Sequence, residues 1–360
     1  MGYYIEHRVI GGLAMRIALV TDAWKPQVNG VVKALTHLVD EVEKMGHGMA
    51  VVHPGLYHTI PLPTYQDIRL AVGGLGQLRK QLAQFAPDAI HIATEGPLGI
   101  LARRYCRSRQ LPFTTSFHTR FPEYIHARIT AIPVRWGYAA IRWFHGGARR
   151  TLVTTESLRS ELQGYGLRNL VLWPRGVDTT VFTPEARTDL GLPGPLFLFV
   201  GRVAVEKNLE AFLRLGLPGT KIVVGDGPLL PRLRRLYPQV HFTGMLPPAE
   251  VARYMASSDC FVFPSLTDTL GLVIMEALAC GLPVAAFPVQ GPRNLVLHGQ
   301  TGILDHDLQR AALQALGLQK NACREQALHW SWKHCAHVFL EQIEPLRQQH
   351  KVMAVLGEHA

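Results

Sequence analysis

Two carboxylates, Asp268 and Glu276, stand with seven residues between them in a stretch that reads as a strand end, a tight loop and a short helix. The stretch Pro264 to Pro283 follows the apolar run Cys260 to Phe263, and its second half carries a 3.6-residue apolar pattern closed by Gly281-Leu282-Pro283. The opening amides of such a helix, at Leu270, Gly271 and Leu272, have no intrahelical acceptor and carry the positive end of the helix dipole. A diphosphate fits there, and Gly271 lets it approach the backbone. Asp268 in the loop and Glu276 inside the helix put an acceptor on either side of that anion, as a sugar nucleotide requires. A capping Asp268 with a solvated Glu276 fits the same spacing.

Two cations fall at a similar place. The apolar run Leu196 to Val200 ends in Gly201-Arg202-Val203-Ala204-Val205-Glu206-Lys207-Asn208, so Arg202 and Lys207 flank a strand end and a helix start. Both could bind a diphosphate and stabilise its charge as a glycosidic bond breaks; lone surface cations are the plain alternative. After the first strand, Asn29-Gly30 opens a helix where a phosphate or sugar could approach, or forms an ordinary turn. His118 follows another strand, as does Glu95, which could touch an acceptor or simply start a helix.

The elements that would carry these residues alternate. Strands are predicted at Arg16 to Thr21, Met49 to His53, Ile68 to Val72, Ala89 to Ala93, Phe113 to Phe117, Leu152 to Thr155 and Leu170 to Trp173, with helical segments between most of them. From Trp173 to Pro195 the pattern breaks into a linker rich in Pro, Gly and Thr. It restarts with strands at Leu196 to Val200, Lys221 to Val224, Val240 to Phe242, Cys260 to Phe263 and Val284 to Phe287. Two α/β units with mostly parallel, doubly wound sheets then face a cleft. The boundaries expected are an unstructured extension over 1–14, domains over 15–185 and 186–335, and a returning helix within 336–360, drawn from an amphipathic segment beginning near Ser331.

The motifs together resemble the retaining GT-B glycosyltransferases of family 4. Asp268-x7-Glu276 followed by Ala-Leu-Ala-Cys-Gly-Leu-Pro-Val is similar to the family's E-x7-E signature, with Asp in place of the first Glu. Gly201-Arg202 to Lys207-Asn208 is similar to G-R-x-x-x-x-K-N, and Pro26 to Val31 resembles the P-x-x-N-G-V loop. The resemblance implies two Rossmann-like domains, with a final helix crossing back onto the first. It assigns the donor to Asn29, Gly30, Gly227, Gly244, Met245, Leu246, Leu270, Gly271, Leu272 and Glu276. It implies that His118 faces the donor sugar, that Asp268 holds sugar hydroxyls, and that Arg202 and Lys207 stabilise the leaving diphosphate. Glu95 and Arg120 are the candidate acceptor contacts. Arg175-Gly176-Val177-Asp178 and Ser116-Phe117-His118-Thr119 point to the branch acting on lipids, with a GDP- or UDP-hexose donor. No metal or other cofactor is expected, and Asp305-His306-Asp307 reads as a surface loop.

The chain of 360 residues carries a net charge of +10, which favours anionic partners. Residues 101–150 hold ten Arg, no Lys and one acid, Glu123. Arg128, Arg135, Arg142 and Arg149 are seven apart, as are Trp136 and Trp143, so a helix would set a basic stripe beside an aromatic one. Such a face suits an anionic lipid surface; the alternative buries the tryptophans in the core. Residues 1–14 form neither a signal peptide nor a span, and five scattered cysteines read as free thiols of a cytoplasmic protein, peripheral on the membrane at most. A nucleotide-sugar epimerase of similar architecture would need no acceptor. A nucleic-acid binder would explain the charge, but no helix-turn-helix, zinc-finger or RNP pattern is present, so no nucleic acid is expected. The sequence is silent on oligomeric state.

Overall fold

The computed structural model describes residues 14–27, 29–62, 65–123 and 133–346, leaving aside the side chains of 62–68. The first unit runs β1 (Arg16–Val20), α1 (Gly30–Lys44), β2 (Gly48–Val52), β3 (Thr59–Leu62), β4 (Tyr65–Ala71), α2 (Leu75–Phe85), β5 (Ala89–Ile92), α3 (Pro97–Ser108), β6 (Thr114–Ser116), α4 (Val134–His145), β7 (Arg150–Val153), α5 (Glu156–Gly164) and β8 (Leu170–Leu172). The second runs β9 (Leu196–Val200), α6 (Leu209–Leu213), β10 (Thr220–Val224), α7 (Leu230–Leu236), β11 (His241–Gly244), α8 (Pro248–Ser257), β12 (Cys260–Phe263), α9 (Leu272–Ala279), β13 (Val284–Ala286), α10 (Gln290–Leu295), β14 (Gly302–Leu304), α11 (Leu308–Ala315) and α12 (Lys320–Ala327); α13 (Trp332–Gln342) then returns to the first unit.

Both main sheets have six strands, in the orders β2-β1-β5-β6-β7-β8 and β11-β10-β9-β12-β13-β14, with every pairing parallel. Helices cover both faces, so strands such as Cys260–Phe263 are buried at every position and carry no polar alternation. In each sheet the order reverses at one point, between β1 and β5 and between β9 and β12. The loops leaving these four strands carry most of the residues singled out above, as expected of a switch-point crevice.

One expected sheet strand lies elsewhere. The segment around Ile68 to Val72 belongs to β4, which pairs antiparallel with β3 as a separate hairpin, Thr59 opposite Ala71 and Ile60 opposite Leu70. Its sequence, Tyr-Gln-Asp-Ile-Arg-Leu-Ala, alternates polar and apolar residues, which suits a strand with one wet face rather than one covered on both sides. The short strand β14 was not anticipated.

The linker does not float. Arg324 of α12 donates to the carbonyls of Thr179, Phe182 and Ala279, pinning the linker to the second unit. The Val177 amide donates to the Trp330 carbonyl at 3.2 Å, so the outgoing and returning chains are hydrogen-bonded where they cross. Gly176 is required there, because a Cβ would lie 2.3 Å from the Trp332 amide nitrogen. Beyond the crossing, Trp332, Cys335, Ala336, Phe339 and Ile343 pack into the first unit's core with Leu19, Leu35 and Trp173.

Candidate active site

At the carboxyl end of the second sheet four loops lie side by side. The Val203 amide donates to the Asp226 carbonyl and the Gly225 amide to the Gly244 carbonyl, at 2.9 and 2.8 Å. Gly225 and Gly227 are glycine because the chain from Gly201 to Val203 presses on them; a Cβ on Gly225 would meet the Gly201 carbonyl oxygen at 2.0 Å. Met245, beyond Gly244, is exposed, and Leu246 is half-buried. Asn208 takes a left-handed conformation and donates to the Pro264 carbonyl, joining the Arg202–Lys207 loop to the Asp268 loop.

Lys207 Nζ donates to Asp268 Oδ1 at 2.6 Å. The other carboxylate oxygen of Asp268 is buried and has no protein partner. Two loop residues further on, Gly271, with φ +90°, is the N-cap of α9, and no side chain caps the helix. Its first turn is therefore left without a side-chain cap, beside a lysine and a half-satisfied carboxylate. Arg202 lies in the same loop as Lys207.

The other helix N-terminus differs. Asn29 Oδ1 accepts from the Val31 and Val32 amides at 3.0 Å each, so α1 already has its cap. Gly30 packs toward the opposite unit instead, where a Cβ would lie 3.8 Å from Leu272 Cδ1. The β1–α1 loop is anchored by Asp22, whose carboxylate accepts from the Leu98 and Gly99 amides at the start of α3 and from the Thr94 hydroxyl. Burial holds the Asp22 carboxyl above its usual range despite these bonds.

Contacts between side chains and across the cleft join the units near the site. The Thr269 hydroxyl donates to the His118 carbonyl at 3.0 Å. Lys33 of α1 pairs with Glu276 of α9. Ser157 of α5 donates to Asn294 Oδ1 of α10 at 3.0 Å. Glu276 is only 7% exposed; burial raises its carboxyl, against the pull of Lys33. The ribose contact assigned to Glu276 is thus held by a lysine that the sequence reading did not single out.

His118 is tied at both ring nitrogens. Arg175 donates to Nδ1 at 3.4 Å, so Nε2 carries the proton and donates to Ser116 Oγ at 2.8 Å. Burial, and then the Arg175 charge, hold the His118 pKa well below its ordinary value of 6.5, so the ring is neutral. Arg175 itself is 5% exposed, stacks on Trp173 at 3.7 Å and donates to the Trp173 and Pro174 carbonyls. It forms no ion pair among the described residues.

The two candidate acceptor contacts are taken inside the first unit. Glu95 pairs with the buried His145 at 3.1 Å, and Arg120 with Glu161 at 2.9 Å and, more distantly, Glu123. Asp305 pairs with Arg310, while Asp307 caps α11.

Residues 28–181 match the family described as Glycosyltransferase Family 4, and residues 194–320 that described as Glycosyl transferases group 1. A GDP-mannose-dependent alpha-mannosyltransferase of Mycolicibacterium smegmatis is 31% identical over 327 residues, spanning 84% of this chain and 87% of that protein. The chain belongs to glycosyltransferase family 4. This family 4 enzyme is also 29% identical to the alpha-monoglucosyldiacylglycerol synthase of Streptococcus pneumoniae, over 84% of its own length and 78% of that protein. Its fold is GT-B: sucrose-phosphate synthase from Thermosynechococcus elongatus superposes with a TM-score of 0.77, at 21% identity, over 91% of this chain and 98% of that one.

On the first unit, the family 4 enzyme turns the α4 tryptophans outward. Trp136 is 63% and Trp143 54% exposed, while Tyr138, Ile141 and Phe144 form the buried face. The alternative that buried the tryptophans is therefore wrong. Arg135 and Arg142 are exposed on the same helix; Arg149 is exposed in the turn beyond it, and Arg128 lies outside the described residues. Among the described residues no helix is long and apolar enough to cross a membrane.

Proposed function

We propose that this glycosyltransferase moves a hexosyl group of the mannose or glucose type from a GDP- or UDP-sugar to a hydroxyl of a lipid or glycolipid, keeping the α configuration. The uncapped α9 N-terminus beside the Lys207–Asp268 pair carries this reading. The diphosphate rests on the α9 amides, with Arg202 and Lys207 drawing its charge. The open oxygen of Asp268 accepts a sugar hydroxyl, and the ribose reaches Glu276 by displacing Lys33. The loop from Gly244 to Leu246 meets the base through its backbone.

Transfer proceeds by front-side attack. The acceptor oxygen bonds to the anomeric carbon as the bond from that carbon to the diphosphate breaks, and the acceptor proton passes to the departing phosphate oxygen. His118 is neutral, with both ring nitrogens occupied, so it lines the sugar site without exchanging protons. No required metal enters the scheme. The exposed α4 face of Arg135, Trp136, Arg142 and Trp143, with Arg149, contacts an anionic leaflet from which the acceptor is drawn.

The test is thermal stabilisation by GDP, UDP and ADP separately, where a ligand at a hundred times its Kd adds about 2.7 kcal/mol. The nucleotide that stabilises selects the sugar nucleotide to be offered with lipid extracts. Absence of any shift, or donor turnover that is independent of acceptor, overturns the assignment.

A further inference from the structure

The C-terminal half of α3 and the end of α4 enclose a groove of about 460 Å³, lined by Ile100, Arg103, Arg104, Arg107, Ser108 and Trp143. Both helices have their N-termini toward the switch-point crevice, so the groove lies at the far end of the first unit, away from the site above.

Three arginines line it, Arg103 buried and Arg104 and Arg107 exposed. Arg103 is 8% exposed, donates to the Phe144 and Trp143 carbonyls at 3.0 and 2.7 Å, and stacks under the Trp143 ring at 3.9 Å. The Arg107 guanidinium is beside it: a Cβ on Gly147 would lie 3.3 Å from Arg107 Nη1 and 3.4 Å from Arg103 Nη2. Burial, and then the Arg107 charge, lower the Arg103 pKa. No carboxylate answers either group among the described residues. Between residues 96 and 155 the one acid is Glu123, and it is turned inward to the Tyr138 hydroxyl at 2.6 Å.

Two neighbouring guanidinium groups with no acid beside them suit an external anion. The rim adds a second requirement, because Ile100 is 42% and Trp143 54% exposed. An anion carried on an apolar chain meets both. We propose that this groove binds the phosphate headgroup of an anionic phospholipid in a membrane leaflet, as a site separate from the acceptor site. The choice of a leaflet over a free anion rests on the lipid-acceptor reading. The phosphate sits between Arg103, Arg104 and Arg107, and the indole of Trp143 lies at the interface. Trp136, two turns earlier on α4, continues the contact toward the cleft.

The test is co-sedimentation of the full chain with phosphatidylcholine vesicles containing or lacking 30% phosphatidylglycerol. Binding is expected to phosphatidylglycerol vesicles, with an affinity about 30-fold lower for R104Q/R107Q, as expected for two basic groups at an anionic surface. R104K/R107K is expected to restore most of it. Brominated phosphatidylglycerol should quench wild type more than W143F. A thermal shift with nucleoside diphosphate shows that each variant is folded. Equal binding to both vesicle types, equal binding of R104Q/R107Q and wild type, or release of the protein by millimolar inorganic phosphate at constant ionic strength overturns the proposal. If the vesicles bind through the groove but no lipid is glycosylated, the acceptor reading falls while this site stands.

Discussion

Asp268→Asn separates sugar binding from nucleotide binding. The carboxylate has one oxygen on Lys207 at 2.6 Å and a second that is buried and unpartnered. A ligand hydroxyl donating to that second oxygen makes a hydrogen bond to a charged group, worth about 1.5–3 kcal/mol. Asparagine keeps the size but removes the charge, so kcat/KM for the nucleotide sugar is expected to fall about 10- to 150-fold. The bare nucleoside diphosphate should behave in the opposite way. It makes no use of the sugar contact, and the substitution leaves Lys207 without its counter-charge. Its Kd should therefore be unchanged or lower. Initial rates of transfer and calorimetric titration of the diphosphate measure the two quantities. A parallel tenfold loss in both would refute the reasoning, because it would make Asp268 a support for the anion pocket.

Replacing Lys33 with Met removes the cation that opposes burial at Glu276, so that carboxyl rises further above its ordinary value of 4.5. A raised native pKa favours the native state below the unfolded value and loses that contribution as pH rises through the native value, so the stability deficit of K33M should widen from pH 5 to 8. Denaturant melts at the two pH values check this, and equal deficits would refute it. In R175M the His118 ring loses the neighbouring charge, and its pKa should rise while staying below 6.5 because burial persists; imidazole NMR reads the shift directly. All five cysteines are buried and free, and burial pushes the Cys106 and Cys280 thiols up to about 12. A thiol reagent at pH 8 should leave the native protein unmodified and count five groups after denaturation.

What the sequence disclosed was local. Strand runs buried on both faces, such as Leu196–Val200, are continuous apolar segments, and the α9 start is written in Gly271 and the apolar periodicity that follows it. The β3–β4 hairpin was misplaced because an apolar tail at Ile68 to Val72 outweighed the polar alternation preceding it. Lys33 gave no signal, since its partner is 243 residues away and a lysine on an amphipathic helix ordinarily faces water. Arg175 was visible only as part of a motif. Its burial depends on Trp173, His118 and the returning helix, which are brought together by tertiary packing alone. The α4 tryptophans fit either face by spacing; Tyr138, Ile141 and Phe144 decide which one is covered.

The crossing at Val177 and Trp330 has a mechanical consequence. A single covalent tether lets two bodies swivel about three axes. Here the outgoing and returning chains pass between the bodies at the same place, bonded to each other and closely packed at Gly176. Two tethers fixed together behave like the spine of a book. Twisting is resisted, and the motion left is a rotation that parts or joins Thr269 and His118, Lys33 and Glu276, and Ser157 and Asn294 in concert. Any opening and closing about this spine then retraces one path, which returns Thr269 to His118 and Lys33 to Glu276 in the same register each time.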